Sequence, residues 1–217
     1  MQDTTIHVIL ASASPRRKEL IHQIGWEADI CPAVFEEAKT IEEAEERRQA
    51  LPGKEKGLLA PFSGADLLTV WNAMGKAKAV YAEKGDSCPI VAADTVVCKG
   101  EAILGKPKDE DDARAMLSYL SGSSHEVKTG MAVMQHGKLS LHVETTKVYF
   151  RPLQEEEIDR YVAGGEPLDK AGAYGIQGKG AVLVRKIEGS YDNVVGLPLT
   201  ALYEIVVGDS RLALNGN

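Results

Sequence analysis

An α/β or α+β fold is predicted by three observations. Strand-like and helix-like segments alternate along the whole chain, no repeat or low-complexity tract interrupts them, and 44% hydrophobic with 26% charged residues in 217 is enough for a sizeable core. The length suits one large domain or two small lobes.

The elements follow in order. Ile6, Val8, Ile9 and Leu10 read as a short buried strand, after which Lys18, Glu19, Leu20, Ile21 and Ile24 switch to helical spacing. Ser14 is placed to cap that helix and Pro15 to occupy its first turn, where a missing N–H costs nothing. "WEADICPAVF" reads as a second strand. The charged stretch "TIEEAEERRQALPGKEKGLLAPFSG" is broken by Pro52, Gly53, Pro61 and Gly64 and reads as a helix plus a surface excursion with a solvated face. "ADLLTVWNAMGKAKAVYAEKG" is a long amphipathic helix closed by Gly85, and "PIVAADTVVCKGEAILGKP" is a buried strand, a Lys-Gly turn and a short returning strand. "DEDDARAMLSYLSG" carries acids in its first turn and Gly122 at its end, as a helix should. "EVKTGMAVMQHGKLSLHVETTKVYF" alternates around His136-Gly137 as a hairpin, "QEEEIDRYVAGG" is helical, and "AVLVRKIEGSYDNVVGLPLTALYEIVV" closes as strand, loop and helix.

Charge and cysteine usage exclude several functions. A net charge of -7 with no basic stripe argues against a nucleic-acid partner. A small anionic ligand needs only a few local cations and stays open. Cys31, Cys88 and Cys98 form no metal-binding spacing, and an odd number without a secretory leader fits reduced thiols in the cytoplasm. No apolar run reaches the roughly 20 residues of a membrane span, so no membrane association is expected.

Four stretches carry more than folding requires. In "LASASPRRKEL", Arg16 and Arg17 sit in the first turn of a helix, where cations oppose the macrodipole; free N–H groups there form an anion site that two guanidinium groups would strengthen for phosphate. A solvated basic turn is the alternative. In "VAADTVV", Asp94 ends a buried run and needs a partner, whether as metal ligand, general base or turn cap. Lys106 in "LGKP", on the returning strand, could lie close to Asp94, in catalysis or as a structural ion pair. In "GEPLDKAGAYGIQGKGAVLV" five glycines surround a polar core, which suits a ligand-binding loop or a strained connector.

In series, "ASASPRRKEL", "VAADTVV", "ILGKPKDEDDARAML" with "LSGSSHEVKTG", and "GEPLDKAGAYGIQGKGA" with "IEGSYDNVVGLPL" resemble the Maf family of nucleotide pyrophosphatases, related in fold to the inosine triphosphate pyrophosphatases. The matches run from the first strand to the last helix. The resemblance implies a single domain over residues 1–217: an α/β fold with a strongly twisted mixed sheet, flanking helices and two lobes around a central cleft. It implies hydrolysis of a nucleoside triphosphate between the α and β phosphates, with Mg2+ or Mn2+ as cofactor. Ser12, Ser14, Arg16 and Arg17 would grip the phosphates; Lys76 and Lys106 match lysines lining the same cleft. Asp94 matches the catalytic acid that activates water directly or through metal, and Glu37 a metal-associated glutamate, with Glu36 one position away.

The branch of the family acting on dTTP and UTP has Arg after the Pro, Thr after the catalytic Asp and Gln in the Ile-Gln-Gly turn, and this chain has Arg16, Thr95 and Gln177 there. A Gln amide offers the donor and acceptor that the uracil or thymine edge needs. Between Glu37 and Lys76 the chain is longer than typical bacterial members, which implies a surface insertion at about 42–64, and the assignment of Lys76 crosses it. A homodimer is expected by family analogy. The competing class is a nucleotide-binding regulator of cell division with incidental hydrolysis.

Overall fold

The computed structural model describes residues 5–214, with side chains to residue 208. Seven strands form one mixed sheet with helices packed on it, the α/β architecture expected. β1 (His7–Leu10) pairs in parallel with β2 (Glu27–Ile30) and with β3 (Ile90–Lys99), so that Ile9 faces Asp29 on one side and Ile90 on the other. β4 (Ala102–Leu104) returns antiparallel along β3. β5 (Ser124–Gln135), β6 (Lys138–Phe150) and β7 (Val184–Glu188) complete the hydrogen-bonded order β2-β1-β3-β5-β6-β7.

The helices start and stop where local chemistry says they should. α1 (Pro15–Gln23) has Pro at its first position. α2 (Ile41–Gln49) is capped by the Thr40 hydroxyl, which accepts from Glu43 N–H at 3.2 Å. α3 (Gly53–Leu59) follows, then α4 (Gly64–Lys84), which ends at Gly85 with φ +70°. α5 (Glu110–Leu120) is capped by Asp109, and α6 (Glu155–Ala163) by a capping box between Gln154 and Glu157. Three 3-10 turns span Glu166–Leu183, and α7 (Tyr191–Val195) and α8 (Leu199–Leu214) close the chain. At the tip between β5 and β6, His136 and Gly137 take φ of +52° and +68°, the pair of positive angles a tight two-residue hairpin turn requires.

Three local expectations are corrected. The second strand stops at Ile30 instead of continuing through Phe35, because Pro32 has no N–H to extend the ladder. The charged stretch forms two helices, not one helix and an excursion. It is also anchored inward, with Ala44 and Leu59 fully buried and both α2 and α3 packed on α4. Ser14 occupies the cap position of α1, but its side chain makes no capping bond.

The chain divides into two compact units. The first is built from three separated stretches: residues up to Asp94, Thr129–Val143 and Gly196 onward. Its core includes Ile9, Ala73, Ala77, Val80, Ile90, Ala92 and Ala132. Small residues on α4 let the helix lie close to the strands. The tightest approach is at Gly130, where a Cβ would strike the backbone of Thr69 and Val70. The second unit, Thr95–Lys128 and Glu144–Val195, is centred on Leu117, Leu120, Val148, Phe150, Ile158 and Tyr174. Within it His125 is buried, with Nε2 at 2.7 Å from the Tyr174 hydroxyl and its ring edge-on to Phe150.

Gly130→Ala should cost about 1–3 kcal/mol of stability, the usual range for overpacking, read as a lower urea midpoint at unchanged slope. Burial, with a smaller push from Lys99, holds the His125 pKa down to about 4, so the ring is neutral in the native state. The unfolded chain then binds the extra proton first, and stability contributed by His125 is full above pH ~6.5 and falls as the pH drops toward 4. The loss should total about 3 kcal/mol, and urea melts of His125→Gln across that window should show a flatter pH dependence than the parent.

Candidate active site

α4 is the platform on which the acids are assembled. The loop between β2 and α2 lies along one face of the helix and meets it at three places. Phe35 covers Gly75, where any Cβ would collide with its ring. One turn away, Asn72 clasps the loop backbone: Ala38 N–H donates to its Oδ1 at 2.8 Å and its Nδ2 donates to the Ala38 carbonyl at 3.0 Å. Lys76, four residues on and so on the same face, reaches Glu37 at 2.7 Å.

The same ammonium donates to Asp94 Oδ1 at 3.1 Å, and Asn72 Nδ2 donates to Asp94 Oδ2 at 3.0 Å. Asp94 lies on β3 at the end of the buried run Ile90–Ala93, which explains how a carboxylate is tolerated there: both of its oxygens are engaged. Lys76 and Asp94 side chains are 13% and 18% exposed and that of Glu37 is 50% exposed, so the cluster is shielded on the helix side and open beside Glu37. Of the two neighbouring glutamates, Glu37 is the one that faces Lys76. Glu36 turns outward to Arg47 of α2, which also donates to the Glu36 carbonyl at 2.7 Å.

At the mouth of α1, Ser12 Oγ accepts from Ser14 N–H at 3.2 Å and from Arg17 Nη1 at 3.1 Å, while Arg17 Nε donates to the Gly196 carbonyl at 2.8 Å. Arg17 is thereby aimed before any ligand arrives. Burial lowers its pKa, opposed by the negative charge of Asp94 and, more weakly, of Glu37. Arg16 stands next to it and adds to the positive field. Ser12, Ser14, Arg16, Arg17, Glu37, Lys76 and Asp94 therefore all belong to the first unit.

Thr95, Lys106 and Gln177 belong to the second. Lys106 is exposed just beyond β4, and the ammonium on Asp94 is that of Lys76. Gln177 is half-buried in the glycine-rich stretch, and that stretch is held by one carboxylate: Glu166 accepts from the Tyr161 hydroxyl at 3.1 Å and from the N–H groups of Lys179 and Gly180 at 3.2 and 3.3 Å. Tyr161 in turn accepts from Gly175 N–H at 3.2 Å, and burial raises its pKa so that it stays a phenol. Gln177 is thus bracketed by fixed backbone on both sides. Within this stretch Gly172 takes φ +68° beside Val97, where a Cβ would collide with the Val97 side chain, so glycine is required there.

Glu37 and Asp94 supply hard carboxylate oxygens, and Lys76 seated between them shows that the pair accommodates positive charge. Two carboxylates are a usual protein contribution to a magnesium site, with substrate phosphates and water supplying the rest. Among the described residues, no group of three His, Cys, Asp or Glu comes together to hold a metal. Asn72 and Gly75 belong to this arrangement without standing out in sequence motifs; the one local signal is an amide four positions before Lys76 inside the mostly apolar run "LLTVWNAMG".

Known proteins resemble this chain over most of its length. The dTTP/UTP pyrophosphatase of Agathobacter rectalis is 45% identical over 208 residues, covering 91% of this chain and 94% of its own. Those of a Geobacillus species and of Aquifex aeolicus are 47% and 42% identical, covering 89% and 93% of this chain and 92% and 94% of theirs. A solved structure of the Staphylococcus aureus Ham1 protein overlaps 82% of this chain and 79% of its own, with a TM-score of 0.43 and 13% identity. The family model described as Maf-like protein matches residues 7–207, almost everything from β1 into α8, and the chain belongs to that family.

Proposed function

We propose that this protein hydrolyses dTTP and UTP between the α and β phosphates, releasing pyrophosphate and the nucleoside monophosphate. The observation that carries the reading is the cluster against α4: Asp94 with both oxygens engaged, Glu37, and the Lys76 ammonium paired with both, in the same unit as an arginine held in place at the mouth of α1. The names of its relatives, at 42–47% identity over about nine-tenths of the chain, support the pyrimidine substrates.

The residues divide the work by charge. Ser12, Ser14, Arg16 and Arg17 bind the triphosphate through hydroxyl and guanidinium donors, and Lys76 holds positive charge where phosphoryl oxygens gain negative charge. Asp94 accepts the proton of the attacking water as its oxygen bonds to phosphorus and the bridging oxygen leaves with pyrophosphate. Glu37 and Asp94 would hold a divalent cation, which when bound supplies Lewis-acid polarisation and neutralises phosphate charge. Lys106, Thr95 and Gln177 take their roles from the family pattern, Lys106 as a further cation and Gln177 as the group that pairs with the base. A homodimer and a cytoplasmic location accompany this reading.

Pyrophosphate release from a panel of nucleoside triphosphates, with Mg2+, Mn2+ or chelator, tests it. Turnover should be metal-dependent and fastest on dTTP and UTP, and Asp94→Asn should lower kcat by about 10²–10⁴-fold, the usual worth of a general base, with the protein still folded. Tight nucleotide binding without turnover would instead favour a regulator. Gln177→Ala should retain hydrolysis and lose discrimination between pyrimidine and purine triphosphates, read as a convergence of their kcat/KM values.

A further inference from the structure

The surface cysteine beside β1 has a histidine and an acid near it, but its contacts are long: Cys88 Sγ is 3.7 Å from His7 Nδ1, and His7 Nε2 is 3.6 Å from Asp29. Asn72 makes tighter contacts and is 3% exposed. Its two amide protons and its oxygen are all used: Nδ2 serves the Ala38 carbonyl and Asp94 Oδ2, and Oδ1 receives the Ala38 N–H. A flipped amide would aim its oxygen at both acceptors and break all three bonds, so the orientation is fixed. A single rigid side chain therefore joins the residue after Glu37 to the carboxylate of Asp94.

We infer that Asn72 is a positioning residue that sets the placement of the two carboxylates, Glu37 and Asp94, relative to each other. The acids come from different parts of the chain, one on an exposed loop and one on a buried strand, and both carry negative charge. Lys76 attracts each, but a flexible ammonium on a four-carbon stem fixes no geometry. Asn72 supplies it, because its amide plane sits on a helix and holds the loop backbone and one acid oxygen together. Phe35 on Gly75 seats the same loop one turn further along α4. Arg47 holds it from the outside through the Glu36 carbonyl, at an exposed site.

The inference rests on the proposed pairing of Glu37 with Asp94, and its test reads cation binding separately from turnover. Asn72→Leu keeps the volume and removes all three hydrogen bonds; Gly75→Ala displaces Phe35 while leaving Asp94 untouched. Mn2+ affinity is measured by titration of the nucleotide-free protein, alongside kcat and KM for dTTP. Residues that orient ligands from behind typically change affinity or rate by about 10- to 100-fold. Asn72→Leu should show a loss of that size in both Mn2+ affinity and kcat with KM for the nucleotide changed less than about threefold, and Gly75→Ala a loss in Mn2+ affinity in the same direction. Leu117→Ala, a cavity in the second unit, controls for lost stability and should leave both readings at the parent value. Mn2+ affinity of Asn72→Leu equal to that of the parent, or an equal loss in Leu117→Ala, overturns the inference. A parent that binds Mn2+ but turns over no pyrimidine triphosphate overturns the proposed function and leaves the Mn2+ comparison to decide the role of Asn72.

Discussion

The first unit depends on one ammonium set between two carboxylates. At an effective dielectric of about 20, a charge pair near 4 Å is worth about 4 kcal/mol before desolvation, and Lys76 makes two such pairs where the acids have one mutual repulsion. Without it, Asp94 would be a largely buried acid hydrogen-bonded to the Asn72 amide, at the end of the apolar run Ile90, Val91, Ala92 and Ala93. Lys76 is itself mostly shielded from solvent, and its ammonium is tolerated there because both acids pair with it. The carboxylates in turn give α4 and the loop after β2 a reason to stay together that apolar packing by Phe35 alone would not supply.

Around that cluster the unit gathers cations and acids from distant stretches of chain. β1 hands the chain to the mouth of α1, β3 delivers Asp94, and the Gly196 carbonyl steadies Arg17 from a point 179 residues away. The consequence is preorganisation: Arg17 and Asp94 already have protein partners, and the phosphate chemistry proposed for them asks for little further ordering. Glu37 is paired with Lys76 too, but it is half exposed on its loop, and the clasp on the Ala38 backbone limits its freedom.

How much of this was legible in the sequence depends on whether a residue's role is local. The strand-turn-helix at Ser12 to Arg17, the hairpin at His136-Gly137 and the close of the long helix at Gly85 follow from nearest neighbours, and all are found. Asp94 stood out because a carboxylate ending an apolar run demands a partner. The choice between Glu36 and Glu37 could not be made from adjacent identical residues; it is made by α2, whose Arg47 draws Glu36 outward. The excess of charge over 40–64 read as solvated, because charge patterning does not reveal that Ala44 and Leu59 point inward. Asn72 is not legible in sequence because two of its three bonds go to the backbone of Ala38, which carries no side-chain signature. Gly75 is illegible for a related reason: a glycine inside a helix is visible, but the ring that needs its missing Cβ lies 40 residues earlier.

The discontinuity of the first unit has a consequence for how the protein is made. Its three stretches are separated by the two that build the second unit, and the bond between Arg17 and Gly196 joins the first of them to the last. On a ribosome adding about 5–20 residues per second, α4 must wait roughly 5–20 seconds, and β1 and α1 roughly 10–40 seconds, for the chain from Gly196 that completes their surroundings. The second unit, though it begins later, contains all of its own sequence by Val195 and is finished first. In vectorial synthesis the part carrying the acids and the arginine is therefore the last to close, so that a truncated product ending before Gly196 would hold α1 and Arg17 without the carbonyl that aims the guanidinium.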